Sequence, residues 1–104
     1  MRSPQEVERG LAAPENLGLE SRIEIRQRAV QLLEEMPEGS GRLVIDLTGT
    51  HRIDSAGLGA LMLVQRHAAE RRQAVVLRNP NEELRFLLVL TKLDELFTIE
   101  VGQD

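Results

Sequence analysis

The residues of this chain that could do chemistry gather between Asp46 and Gly59. Asp46, His51, Asp54 and Ser55 stand close together in a stretch reading Asp46-Leu-Thr-Gly-Thr-His-Arg-Ile-Asp-Ser-Ala-Gly-Leu-Gly59. If the loop folded back on itself, Asp46, His51 and Asp54 could together offer oxygen and nitrogen ligands to a metal ion. The simpler reading makes His51 an exposed loop residue and Asp46 a strand-end carboxylate bonded to nearby backbone. A serine-hydrolase elbow needs glycine two positions before and after its serine. Ile53 occupies the upstream position for Ser55. The only other histidine, His67, would lie roughly three turns further along a helix starting at Ser55, out of reach of its hydroxyl. Gly57-Leu-Gly59 begins like a dinucleotide-binding loop, but Met62 stands where the third glycine belongs. Gly39-Ser-Gly41 lacks the Gly-Lys-Ser/Thr of a phosphate-cradling loop. No cysteine is present, which excludes disulfides, thiolate nucleophiles and cysteine-ligated zinc.

With catalysis, nucleotide loops and metal set aside, Asp54-Ser55 reads as the start of a helix. Either residue can cap it, and the small residues after it allow a close approach to a sheet. Ser55 would then lie at the positive end of that helix, on the loop after a buried strand, where sites in parallel sheets are usually found. The fold would tolerate a phosphate there. It would add up to about two negative charges beside Asp54, opposing any partner pressed against the same face.

The elements that must hold this stretch follow from the flanking sequence. Ser21-Arg-Ile-Glu24 has the form of a capping box. Ile25, Ala29, Leu32, Leu33 and Met36 then mark one face of a helix over residues 21–36, which Pro37 ends. Arg42-Leu-Val-Ile-Asp-Leu47 reads as a buried strand with Asp46 near its end. Residues 48–53 form a connecting loop. The second helix starts at Asp54 or Ser55, with Leu58, Leu61, Met62, Val64 and Ala68 as its buried side, and fades at Arg71-Arg72. Ala74–Leu77 is a second buried strand. Asn79-Pro-Asn81 starts a third helix carrying Leu84, Leu87, Leu88 and Leu90, and Leu96–Val101 is a last strand. Helices alternating with buried strands imply an α/β fold with a parallel sheet. Residues 1–20 carry little pattern and read as a weakly structured arm, with one short strand near Leu17–Leu19. The domain proper is 21–104.

At 104 residues, 41% apolar and 29% charged, the chain has one ordinary globular domain's worth of material. Its net charge is −4, and it has two aromatic residues, Phe86 and Phe97. That leaves little with which to neutralise phosphates or stack bases, so no nucleic-acid partner is expected. No apolar run approaches the roughly 20 residues of a membrane span. The N-terminus shows no hydrophobic signal segment, and a cytoplasmic location is expected.

The stretch Arg42–Leu61 closely resembles the central strand, loop and helix start of STAS domains, the anti-sigma factor antagonists. Ala74-Val-Val-Leu-Arg-Asn-Pro-Asn81 and Leu93-Asp-Glu-Leu-Phe97 resemble the family's following strand, Asn-Pro turn and closing segment. The resemblance covers roughly residues 21–101. It implies a STAS-like, mixed, mostly parallel sheet covered by helices, with no enzymatic activity and no cofactor. It makes Ser55 the phosphoacceptor of a serine kinase that is also the anti-sigma factor, flanked and oriented by Asp54. Ala56, Gly57 and Leu58 would shape the helix start and partner surface. Asp46 matches the acidic residue closing the family's central strand, and His51 joins the partner-binding set. By the same resemblance, the unphosphorylated protein binds the kinase, phosphorylation releases it, and a serine phosphatase restores it. The alternative is a non-switching scaffold subunit of a stressosome-like or lipid-transport complex. Family members open with a strand pair for which residues 1–20 show no clear pattern. The N-terminal strand pair is therefore expected to be reduced, leaving an open sheet edge through which a homodimer could form.

Overall fold

The computed structural model describes residues 7–101. The elements run β1 (Glu8–Ala12), β2 (Asn16–Leu17), α1 (Arg22–Glu34), β3 (Arg42–Asp46), β4 (Arg52–Ile53), α2 (Ser55–Glu70), β5 (Ala74–Arg78), α3 (Glu82–Leu90) and β6 (Thr98–Glu100), with a 3-10 turn at Leu93–Glu95 before β6. β1, β3, β5 and β6 form a sheet in that order, and β2 pairs separately with β4. Every one of these pairings is parallel. The mainly parallel sheet with three helices expected from the alternating pattern is therefore what the chain builds.

Register explains the core. Leu11, Ile45, Leu77 and Ile99 stand opposite one another across the four strands. Successive side chains of a strand point to opposite faces, so this row and its companions Leu43 and Val75 lie on one face. They join Ile25, Ala29 and Leu33 of α1, Leu61 and Val64 of α2, and Leu84 and Leu88 of α3 in a single apolar cluster. The other face carries Arg42, Arg78 and Glu100. Arg78 Nε lies 2.6 Å from Glu100 Oε1, and Arg42 lies 3.5 Å from both Glu8 and Glu100.

Four expectations change. First, the segment read as a weakly structured arm contains β1, aligned with β3 over its whole length. Only Leu11 of its five residues is buried, because an edge strand with one covered face needs a single inward apolar residue to be held. Residues 1–6 of that arm lie outside the described residues. Second, the capping box at Ser21 does not form. Ser21 is the N-cap of α1 without a side-chain cap bond. Its Oγ instead accepts the Gly18 N–H at 3.1 Å and donates to the Asn16 carbonyl at 2.9 Å, tying β2 to the helix start. Third, part of the 48–53 loop is the strand β4. Fourth, Met62 and Leu90, expected inside, are 49% and 65% exposed. α2 and α3 are apolar on more than one side, so periodicity could not say which side faces inward.

The C-terminal end of α1 is closed by a long-range contact. The buried Gln73 amide donates to the carbonyls of Leu33, Met36 and Pro37 at 2.9, 3.3 and 3.2 Å. Arg71 donates to Gln73 Oε1 and to the Met36 carbonyl. These bonds join the end of α1 and the turn after it to the chain entering β5.

Candidate functional site at the start of the second helix

Asp54, which precedes Ser55, is held from both sides by backbone. The β2–β4 pairing sets Leu17 opposite Ile53, and the Leu17 carbonyl accepts the Asp54 N–H at 3.2 Å. Asp54 takes the extended conformation of an N-cap, with φ −111° and ψ −177°. One carboxylate oxygen accepts the Gly57 N–H at 3.0 Å and the other the Leu19 N–H at 3.3 Å. A charged acceptor at this position satisfies free helix donors and suits the positive end of the helix. Two glycines leave the necessary room. A Cβ on Gly57 would meet the Leu17 carbonyl oxygen at 2.1 Å, and one on Gly18 would meet the Asp54 carboxylate at 2.3 Å.

The electrostatics follow from these bonds. The Gly57 N–H, with help from Leu19 and against some desolvation, holds the Asp54 carboxyl below its ordinary value of 3.8. Asp54 is therefore a carboxylate at neutral pH. Both its oxygens are engaged by backbone donors, at Gly57 and at Leu19. Ser55, the first residue of α2, is exposed.

Two open recesses meet at this step. Ser55 and Ala56 line one of about 830 Å³ over the outer face of α2, bordered by Ile23 of α1. Asp54 and His51 line the other, of about 800 Å³, where β2 and β4 face Phe86 and Leu87 of α3. Gly57 is buried against β2 and Leu58 is half-buried, so both shape the helix start from beneath. His51 is exposed, 3.7 Å from the Glu15 carboxylate, with its backbone N–H on the Glu15 carbonyl at 2.8 Å.

Asp46 lines neither recess. Its carboxylate accepts the Thr48 hydroxyl at 2.5 Å and the Thr48 N–H at 3.0 Å. These two bonds, the hydroxyl first, lower its pKa, with Arg78 contributing. Thr48 Oγ1 also accepts from Asn79 at 3.1 Å. Asp46 thus closes the turn leaving β3 and links it to the end of β5. Among the described residues, no group of three or more His, Cys, Asp or Glu side chains could hold a metal ion. Asp46, His51 and Asp54 do not converge.

The sequence reading missed Arg22, Ile23 and Arg26 on α1 and Leu63 and Arg66 on α2, all lining the first recess. A signal for them exists in the spacing of Arg22 and Arg26 on one helix face, but their meeting with α2 is a tertiary fact.

Comparison with known proteins agrees with this fold. A family model described as "Mlab, STAS domain" matches residues 6–99. A STAS-domain containing protein of Pseudomonas aeruginosa (strain UCBPP-PA14) is 34% identical over 58 residues, a match spanning 56% of this chain and 57% of that relative. Among solved structures, a candidate anti-sigma factor antagonist from Thermotoga maritima superimposes with a TM-score of 0.71 at 23% identity, covering 90% of this chain and 80% of that one. The anti-sigma factor antagonist SpoIIAA in its unphosphorylated form gives a TM-score of 0.67 at 12% identity, covering 100% and 84%. A sulfate transporter family protein from Wolinella succinogenes gives 0.65 at 15% identity, covering 97% and 81%.

Proposed function

This chain belongs to the STAS domain family, and from that premise we propose that it is a phosphorylation-switched interaction module acting as an anti-sigma factor antagonist. It binds an anti-sigma factor that is also a serine kinase while Ser55 is unmodified, and leaves it when Ser55 is phosphorylated. A serine phosphatase returns it to the binding state. The module acts in the cytoplasm and has no enzymatic activity of its own. Among the described residues, no helix is long and apolar enough to cross a membrane.

The observation that supports this reading most is the setting of Ser55. An exposed hydroxyl stands at the first position of a 16-residue helix, beside a carboxylate already committed to capping, between two open recesses. A phosphate there meets the positive end of the helix on the protein's own side. On the partner's side it brings like charge and desolvation. Binding of the kinase to wild type, Ser55→Ala and Ser55→Asp is measured by calorimetry. Ser55→Ala is expected to bind like wild type and to remain bound when ATP is added. Ser55→Asp is expected to lose at least tenfold in affinity. Equal binding by all three, with ATP releasing none, would remove the switch.

A second reading, a non-switching scaffold subunit, is favoured by the likeness to a sulfate transporter family protein. Under it the three proteins assemble alike, and Asp54-Ser55 serves only as a helix start.

A further inference from the structure

The outer face of α2 has a composition that its surroundings within the chain do not explain. The exposed stripe of a surface helix is ordinarily polar. Here Met62 and Leu63 lie on it, 49% and 43% exposed, and Ile23 and Leu96 border the same trough at 51% and 50%. The charged side chains lining it are Arg22, Arg26 and Arg66, and no carboxylate is among them, in a chain whose net charge is −4. None of the three arginines makes an ion pair within the described residues.

We propose that this trough docks an acidic amphipathic α-helix of a partner protein, with apolar residues at i, i+3, i+4 and i+7 and Asp or Glu on both flanks. Three arguments fix the occupant. The backbone donors and acceptors of α2 are used within the helix, so no strand edge is available, and the incoming segment must satisfy its own backbone, as a helix does. The lining runs from Ser55 to Ala69, which at about 1.5 Å per residue is roughly 21 Å, the length of a four-turn helix. The arginines border an apolar floor, and acidic flanks are their complement. No aromatic residue lines the trough on which a base could stack.

This inference rests on the interaction-module reading but not on modification of Ser55. Ser55 stands at the head of the trough, so a phosphate there would face the acidic flanks of the occupant. Leaving it unmodified does not close the trough.

The test uses two synthetic 18-residue peptides with one leucine stripe, flanked by Glu in one and by Lys in the other. They are titrated at low salt into the full ¹⁵N-labelled chain. The Glu-flanked peptide is expected to shift the amides of residues 22–26 and 59–69 and to bind about tenfold more tightly, three exposed ion pairs' worth. The double variant Arg26→Glu/Arg66→Glu, with its fold checked by circular dichroism, is expected to reverse that order. Equal binding, no binding by either peptide, shifts confined to α3 or the His51 side, or an order indifferent to the charge reversal would each overturn the proposal. So would arginine-dependent flotation on phosphatidylglycerol vesicles without a peptide preference, which would make a membrane surface the occupant. Ser55→Ala is expected to keep the peptide preference. A retained preference together with a kinase indifferent to Ser55→Asp would therefore remove the switch alone.

Discussion

Gly57→Ala is expected to destabilise this protein, and Gly59→Ala, two residues later on the same helix, to stabilise it. The two substitutions are chemically identical and share a helix-propensity gain of about 1 kcal/mol. They differ in what the new methyl meets. At Gly57 it meets the Leu17 carbonyl oxygen at 2.1 Å, the Leu17 carbonyl carbon at 2.7 Å and Ile53 Cγ1 at 3.0 Å. Backbone cannot swing aside as a side chain can, and this carbonyl is also the acceptor for the Asp54 N–H. Overpacking costs about 1–3 kcal/mol, and a clash with backbone belongs at the top of that range. Net of the propensity gain, the loss is about 2 kcal/mol. For a domain of this size that lowers the melting temperature by roughly 8–16 °C. At Gly59 nothing lies within 4 Å of the added Cβ, so the propensity gain stands and the melting temperature rises by about 4–8 °C. Circular dichroism melts, with urea titrations for free energies, decide the matter. A neutral or stabilising Gly57→Ala would mean that α2 does not start against β2. The placement of Asp54 and Ser55 would fall with it.

Three further outcomes are expected. Gln73→Ala removes a buried amide that bonds three carbonyls at the end of α1; each carbonyl keeps a second donor, so the cost is that of the lost bonds, about 0.5–1.5 kcal/mol each in urea unfolding. Asp46 and Asp54 both have folded pKa values lowered from 3.8. Their contribution to stability is therefore fully present above that value and is lost as pH falls through the lowered folded values. Urea midpoints measured from pH 6 to pH 2.5 should decline more steeply for wild type than for Asp46→Asn or Asp54→Asn, and parallel declines would contradict the hydrogen bonds described. Asn81→Ala, which deletes the acceptor for the Leu84 N–H at 2.8 Å, should cost about 1 kcal/mol as a lost helix cap. It should leave the proposed kinase binding at Ser55 intact.

What the sequence disclosed, and what it withheld, follows how much of each feature is local. β3 and β5 were legible because their three central residues are all buried, so Leu43-Val-Ile45 and Val75-Val-Leu77 read as continuous apolar runs. Asp54 and Asn81 were legible as helix starts because a cap bond spans three residues, to Gly57 and Leu84. β1 carries one buried residue in five, less than periodicity can register, and only the β3 register gives it a place. Ser21 shows the opposite failure. Its sequence satisfied a local rule, but the chain spent the hydroxyl on β2 instead, because the loop between Asn16 and Ser21 needed closing.

The placement of the site residues was only partly legible for the same reason. Asp46 and Ser55 are neighbours in the motif, yet Asp46 turns toward Thr48 and the end of β5 while Ser55 opens onto α2 and α1. A strand end and a helix start joined by a short connection project their side chains along different elements. Closeness in sequence therefore said little about which recess each would line. Arg22 and Arg26 illustrate the converse, since they precede Ser55 by an entire helix and strand and still border the same trough. Under the proposed function, partner recognition at Ser55 thus depends on the packing of α1 on α2 as much as on the motif itself. Charge reversal at Arg26 and Arg66 should alter partner choice even with Asp54-Ser55 untouched.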